Sequence, residues 1–119
     1  MKNTTALLIS LLLMAVAANA SATQPNEVYN YYCAQCHGSD GKGNGPNVTK
    51  DFATDPRDFT KVEDMQKLSD EDIRNVILNG GVAVSKSSLM PAWSGTLSDE
   101  DVDGLVGVLR CISQSKTKL

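Results

Sequence analysis

The chain has 119 residues, 41% of them hydrophobic, with 11 Lys and Arg against 14 Asp and Glu and a formal net charge of −3. That length accommodates one modest domain, and a mildly acidic balance without a Lys/Arg cluster argues against a nucleic-acid or anionic-membrane partner. There is no domain-sized internal repeat and no low-complexity tract.

Residues 1–22 read MKNTTALLISLLLMAVAANASA, with Lys2 as the one charge, an apolar run from Ala6 to Ala18 and small residues after it. This is the pattern of a signal peptide, with A-x-A-like cleavage after Ala20 or Ala22. The apolar run is shorter than the roughly 20 residues a membrane span needs, and no basic stop-transfer cluster follows, so permanent membrane insertion is not expected. Cleavage removes Lys2 and leaves residues 23–119 as one exported, periplasmic domain. A domain of that size buries only about 60 to 65% of the surface its unfolded chain exposes, so a cofactor that adds apolar area contributes strongly to its core. Export also places Cys33, Cys36 and Cys111 in an oxidising compartment. An odd number of cysteines cannot all be halves of disulfides within one chain.

The elements that follow read as helices joined by loops. Val28, Tyr29, Tyr31 and Tyr32 lead into Cys33 and suit a short N-terminal helix. From Gly38 to Asp58 the chain is rich in Gly, Asn, Asp and Pro, which is turn chemistry. Two later segments begin alike, LSDEDI from Leu68 and LSDEDV from Leu97. In each, a serine can cap a helix, an aspartate three residues on can complete a capping box, and flanking apolar residues can form a hydrophobic staple. The acidic triplets Asp70–Asp72 and Asp99–Asp101 then lie in first helical turns, where carboxylates meet the positive end of the helix dipole; a metal-binding role is not needed to explain them. Ile73, Val76 and Ile77 share one face of the first of these helices, which Gly80 and Gly81 end. Val102, Leu105, Val106, Leu109 and Ile112 recur at helical spacing in the second. No convincing alternating strand pattern appears, so the predicted class is all-α.

The chemistry concentrates in NYYCAQCHGSDGKGNGPNV, Asn30 to Val48, where the only histidine, His37, directly follows a C-x-x-C pair. A thioredoxin-like site calls for a hydrophobic strand and a βαβ context, which the chain lacks. A structural zinc site needs four ligands; Cys33, Cys36, His37 and Cys111 are the available set, with the fourth at the far end of the chain and adjacent Cys36 and His37 awkward for one tetrahedral ion. A disulfide between Cys33 and Cys36 closes a small strained ring. C-x-x-C-H as a c-type haem attachment accounts for all three residues: two thioethers to one haem and an imidazole beneath its iron. The second axial position then points to a methionine thioether. Met65 and Met90 are the two candidates after the leader. Met90, in the loop SSLMPAW, is favoured over Met65, whose probable helical turn suits a side chain that fills core space.

CAQCHGSDGKGNGP, followed by MPAW and a capped apolar helix, resembles the class I c-type cytochromes of bacteria over essentially all of residues 23–119. The resemblance implies a cytochrome c fold of about three to four helices around one covalently bound haem c, with an N-terminal helix crossing a C-terminal one. It implies Pro46 on the histidine side, where a backbone carbonyl orients His37, and Trp93 close to the haem or its propionates; for Trp93 an ordinary core role stays open. Arg57 is either a propionate partner or a solvated loop charge. The function expected is single-electron transfer between redox partner proteins (a dehydrogenase, a reductase or an oxidase), with His37 and Met90 as axial ligands and no enzymatic activity of its own, since the one histidine is committed to iron. A five-coordinate haem protein that senses small ligands or acts as a peroxidase, and a zinc-stabilised exported binding module, are the alternatives. Cys111 falls opposite the buried face of the last helix at 100° per residue, where it is open to a disulfide-linked dimer.

Overall fold

The structure, a computed structural model, describes residues 23–114; the leader expected over 1–22 lies outside them. Helix α1 (Pro25–Val28) passes through a π-helical turn, Tyr29–Cys33, into α2 (Ala34–His37), so one continuous helical rod carries the C-x-x-C-H motif at its end. The loop from Gly38 leads to the short α3 (Val62–Met65), then α4 (Asp70–Asn79), a 3₁₀ turn (Gly81–Val84) and the long α5 (Asp99–Gln114). Among the described residues there is no strand, as the all-α reading expected.

The two LSDED segments start helices for the reason their sequence suggests. Ser69 Oγ accepts from the Asp72 amide at 3.1 Å while the Ser69 amide donates to Asp72 Oδ2 at 2.8 Å. Ser98 and Asp101 repeat the exchange at 3.1 and 3.0 Å, and each pair closes a capping box. The Ser69 and Ser98 hydroxyls also donate to Asp72 Oδ2 and Asp101 Oδ2, each at 2.7 Å, and these bonds first, with those from the serine amides second, hold both aspartates below the ordinary carboxylate range. A carboxyl with a depressed folded-state pKa stabilises the fold above its unfolded value and loses that contribution as pH falls through the folded value. The urea midpoint should therefore fall on acidification below the carboxylate range, and fall less steeply in an Asp72→Asn/Asp101→Asn variant.

The core lies where the N-terminal rod crosses α5. Val28 and Tyr29 from the rod, Met65 from α3, Ile73 and Ile77 from α4 and Val102, Leu105, Val106 and Leu109 from α5 form one buried cluster. Gly104 makes the crossing close: a Cβ built there would sit 2.8 Å from Pro25 Cγ, so only glycine lets the two helices approach this far. Arg74 from α4 pairs with Asp99 at 2.7 Å and with Asp103, tying α4 to the start of α5. This scaffold leaves the end of the rod, with its cysteines and histidine, directed toward the long loop and the segment that follows α4.

Candidate metal centre

Cys33 and Cys36 lie one helical turn apart at the end of the rod, both half-buried and both free thiols. Burial, and then the adjacent Cys36, push the Cys33 thiol up to about 11, so at neutral pH it is protonated and a poor free nucleophile. His37 closes α2. Its Nδ1 lies 3.1 Å from the Arg57 carbonyl oxygen, and its ring stacks on Phe59 with centroids 4.5 Å apart and planes 22° from parallel. Burial lowers the basicity of this ring, against the opposing pull of the Arg57 carbonyl, and favours the neutral imidazole that a metal requires. With Nδ1 engaged, Nε2 is the nitrogen that could hold a metal.

The loop that surrounds the histidine is lashed to the end of the helix by its own backbone. Gly43 N donates to the His37 carbonyl at 2.8 Å, Gly45 N to Cys36 at 2.9 Å and Asn47 N to Gln35 at 2.8 Å. Pro46, expected on the histidine side, is exposed between the last two of these anchors, and the carbonyl that meets the ring belongs to Arg57 further along the loop. The Arg57 side chain is exposed. Gly43 has φ +77°, and a Cβ there would lie 2.3 Å from the Pro56 carbonyl oxygen. Gly43→Ala should therefore cost about 2 to 3 kcal/mol in urea unfolding, because it combines a left-handed backbone with a backbone clash.

The MPAW segment is placed by the end of α4. Gly81 N donates to the Met90 carbonyl at 2.9 Å, Trp93 N to Ile77 at 3.0 Å and Ser94 N to Leu78 at 3.1 Å. Trp93, half-buried, meets Tyr32 edge-on at 5.1 Å, which joins this segment to the residue just before Cys33. Met90 is half-buried in that segment, whereas Met65 is 1% exposed inside the core. Cys111 is exposed on α5 and does not join the other two cysteines. Among the described residues no group of three or more His, Cys, Asp or Glu side chains is gathered to hold a metal ion, so the four-donor zinc arrangement considered from the sequence is not assembled.

Sequence reasoning missed three contributors. The Arg57 carbonyl carries no side-chain signal, Phe59 has no spacing relation to the motif, and the position of Tyr29 before the motif signals only a helix. Tyr29 is buried, donates its hydroxyl to the Gly38 carbonyl at 2.7 Å and lies edge-on to Phe59 at 6.5 Å. Burial raises its pKa strongly and keeps the phenol neutral.

The donor set fits a covalently tethered haem: two thiols one turn apart, an imidazole next to the second with one nitrogen already engaged, and a thioether on a separate segment. A family model described as cytochrome c oxidase, cbb3-type, subunit III matches residues 20–107. No curated protein gives a match. Among solved structures, the KustC0563 c-type cytochrome is similar at 28% identity and a TM-score of 0.60, over 76% of this chain and 98% of that one. A chain of the Kuenenia stuttgartiensis reducing HAO-like protein complex Kustc0457/Kustc0458 is similar at 27% identity and a TM-score of 0.62, over 82% of this chain and 45% of that one. This chain therefore spans less than half the length of the second neighbour.

Proposed function

Since the chain belongs to the family described as cytochrome c oxidase, cbb3-type, subunit III, and is a small c-type cytochrome serving haem-based electron transfer, we propose that it is a periplasmic monohaem carrier with His37 and Met90 as axial ligands. The observation that carries this reading is the His37 ring, fixed at Nδ1 by a backbone carbonyl and on one face by Phe59, directly after a C-x-x-C pair. A haem c bound there supplies a one-electron ferric/ferrous couple. Cys33 and Cys36 would tether it through thioethers, His37 Nε2 and the Met90 sulfur would hold the iron, and the Arg57 carbonyl keeps the imidazole in one tautomer. Tyr32 and Trp93, in edge contact, join the rod to the MPAW segment. Pro46 lies between Gly45 and Asn47, whose amides anchor the loop to the end of the rod.

Held by both His37 and Met90, the iron would offer no open position to a substrate, as a carrier requires and a five-coordinate sensor or peroxidase does not. No helix among the described residues is long and apolar enough to cross a membrane. The similarity to a chain of a multi-protein complex supports work beside redox partner proteins. The exposed thiol of Cys111 offers a route to a disulfide dimer, which non-reducing electrophoresis of wild type and Cys111→Ser resolves.

The test is an optical spectrum, oxidised and reduced, of protein exported in a host with haem-attachment machinery. Sharp reduced c-type bands with a weak ferric methionine-to-iron band are expected. Haem bands without the methionine band, together with fast carbon monoxide binding, would transfer the reading to ligand sensing. Absence of covalent haem would sink it.

A further inference from the structure

A hydrogen bond at Nδ1 leaves an imidazole one soft degree of freedom, rotation about the N–H axis, because the donor direction is unchanged by it. In this chain a second contact removes that freedom. The Phe59 ring lies against the face of His37 at 4.5 Å and 22°, and it comes from the same short stretch that supplies the Arg57 carbonyl. That stretch is itself pinned: Phe59 N donates to Gly41 at 2.7 Å, and Pro56 abuts Gly43. Behind Phe59 stands Tyr29, edge-on at 6.5 Å, with its hydroxyl fixed to the carbonyl of Gly38, the residue that follows the histidine. Phe59 is 7% exposed and Tyr29 is 2% exposed, so neither ring has room to turn away.

We propose that Phe59 is a positioning residue for the iron ligand, setting the plane of the His37 imidazole while Arg57 sets its direction, and that Tyr29 holds Phe59 in place. The inference rests on the reading of His37 as an axial ligand. The plane of an axial imidazole decides which iron orbitals overlap its π system, and so affects the magnetic axes of the ferric protein and the balance between its two oxidation states. A ring that merely filled core volume would affect stability and leave both untouched.

The experiment uses the haem-loaded, exported protein and three variants: Phe59→Leu, which removes the stacked ring and stays apolar; Tyr29→Phe, which removes only the hydroxyl; and Phe52→Leu, a half-buried phenylalanine of the same loop as control. Each is measured for covalent haem by mass, for the ferric haem-methyl proton shifts and for reduction potential. Phe59→Leu should keep its haem, reorder the methyl shifts and displace the potential. Tyr29→Phe should move the methyl shifts the same way by less, and Phe52→Leu should match wild type. Methyl shifts and potential unchanged in Phe59→Leu overturn the proposal. If that variant does not fold, Tyr29→Phe decides, and an unchanged methyl pattern there overturns it equally. A wild-type protein without covalent haem removes the axial-ligand reading and this inference with it, and mass alone distinguishes that case from the others.

Discussion

Met90→Ala is expected to keep the covalent haem and lose the weak ferric methionine-to-iron band, while Met65→Ala keeps the band and loses about 3 kcal/mol of stability. The two methionines have the same side chain and opposite surroundings. Met65 is among the largest fully buried side chains, at 1% exposure, in the cluster that joins α3 to α5. Its truncation removes apolar burial and leaves a cavity, which for Met→Ala costs about 2 to 5 kcal/mol. Met90 is half-buried on a segment held by its own carbonyl and by Trp93, so truncating its side chain disturbs little packing. What it removes is the thioether. An opened sixth position should bind carbon monoxide quickly in the reduced state, and the potential should fall, since thioether ligation favours the ferrous iron. The check is a paired measurement, ferric spectrum and urea midpoint on both variants. A methionine band lost in Met65→Ala and retained in Met90→Ala would reverse the ligand assignment.

The parts of this molecule that the sequence made legible are those governed by local chemistry. Ser69 with Asp72, and Ser98 with Asp101, are spaced for capping boxes, and that spacing needs no tertiary information to act. The apolar period of α5 predicts its buried face, and Ile112, at the edge of that face, is half-buried while Ser113 takes the buried position. The C-x-x-C-H motif stands out for the same reason, because three donors within five residues are a matter of spacing alone. What was not legible depends on the path of the long loop. Turn-rich composition announced irregular structure from Gly38 to Asp58, but not that this path would deliver the Arg57 carbonyl and the Phe59 ring to one histidine. A carbonyl is supplied by every residue alike, so only the fold can say which one arrives. Pro46 shows the complementary case: the proline could be named from its place behind the motif, while its exposure and its backbone neighbours required the structure.

Arg110→Met is expected to destabilise the protein by about 2 to 4 kcal/mol, several times the cost of Asp70→Asn, although Asp70 is the anion that Arg110 faces. The guanidinium, on α5, makes three hydrogen bonds: Nε to Asp70 Oδ1 at 2.7 Å, Nη1 to the Met65 carbonyl at 2.8 Å and Nη2 to the Leu68 carbonyl at 2.6 Å. The ion pair is the weakest contributor of the three, because the Asp70 side chain is 72% exposed and such pairs contribute about 0 to 1 kcal/mol. The two carbonyls belong to the end of α3 and the turn after it, in a helix of four residues that has no stability of its own. The Met65 carbonyl otherwise accepts only a long bond from the Leu68 amide, at 3.3 Å, and the Leu68 carbonyl lies in the turn; a charged donor to such a group contributes about 1.5 to 3 kcal/mol. Methionine retains much of the aliphatic stem and supplies no donor, so it isolates the hydrogen bonds from the packing. Urea unfolding of the two single variants separates the contributions. A loss in Arg110→Met no larger than in Asp70→Asn would mean that water satisfies both carbonyls and that α3 is held by Met65 alone. The expected result makes Arg110 the polar clamp that keeps α3, and Met65 with it, against the core.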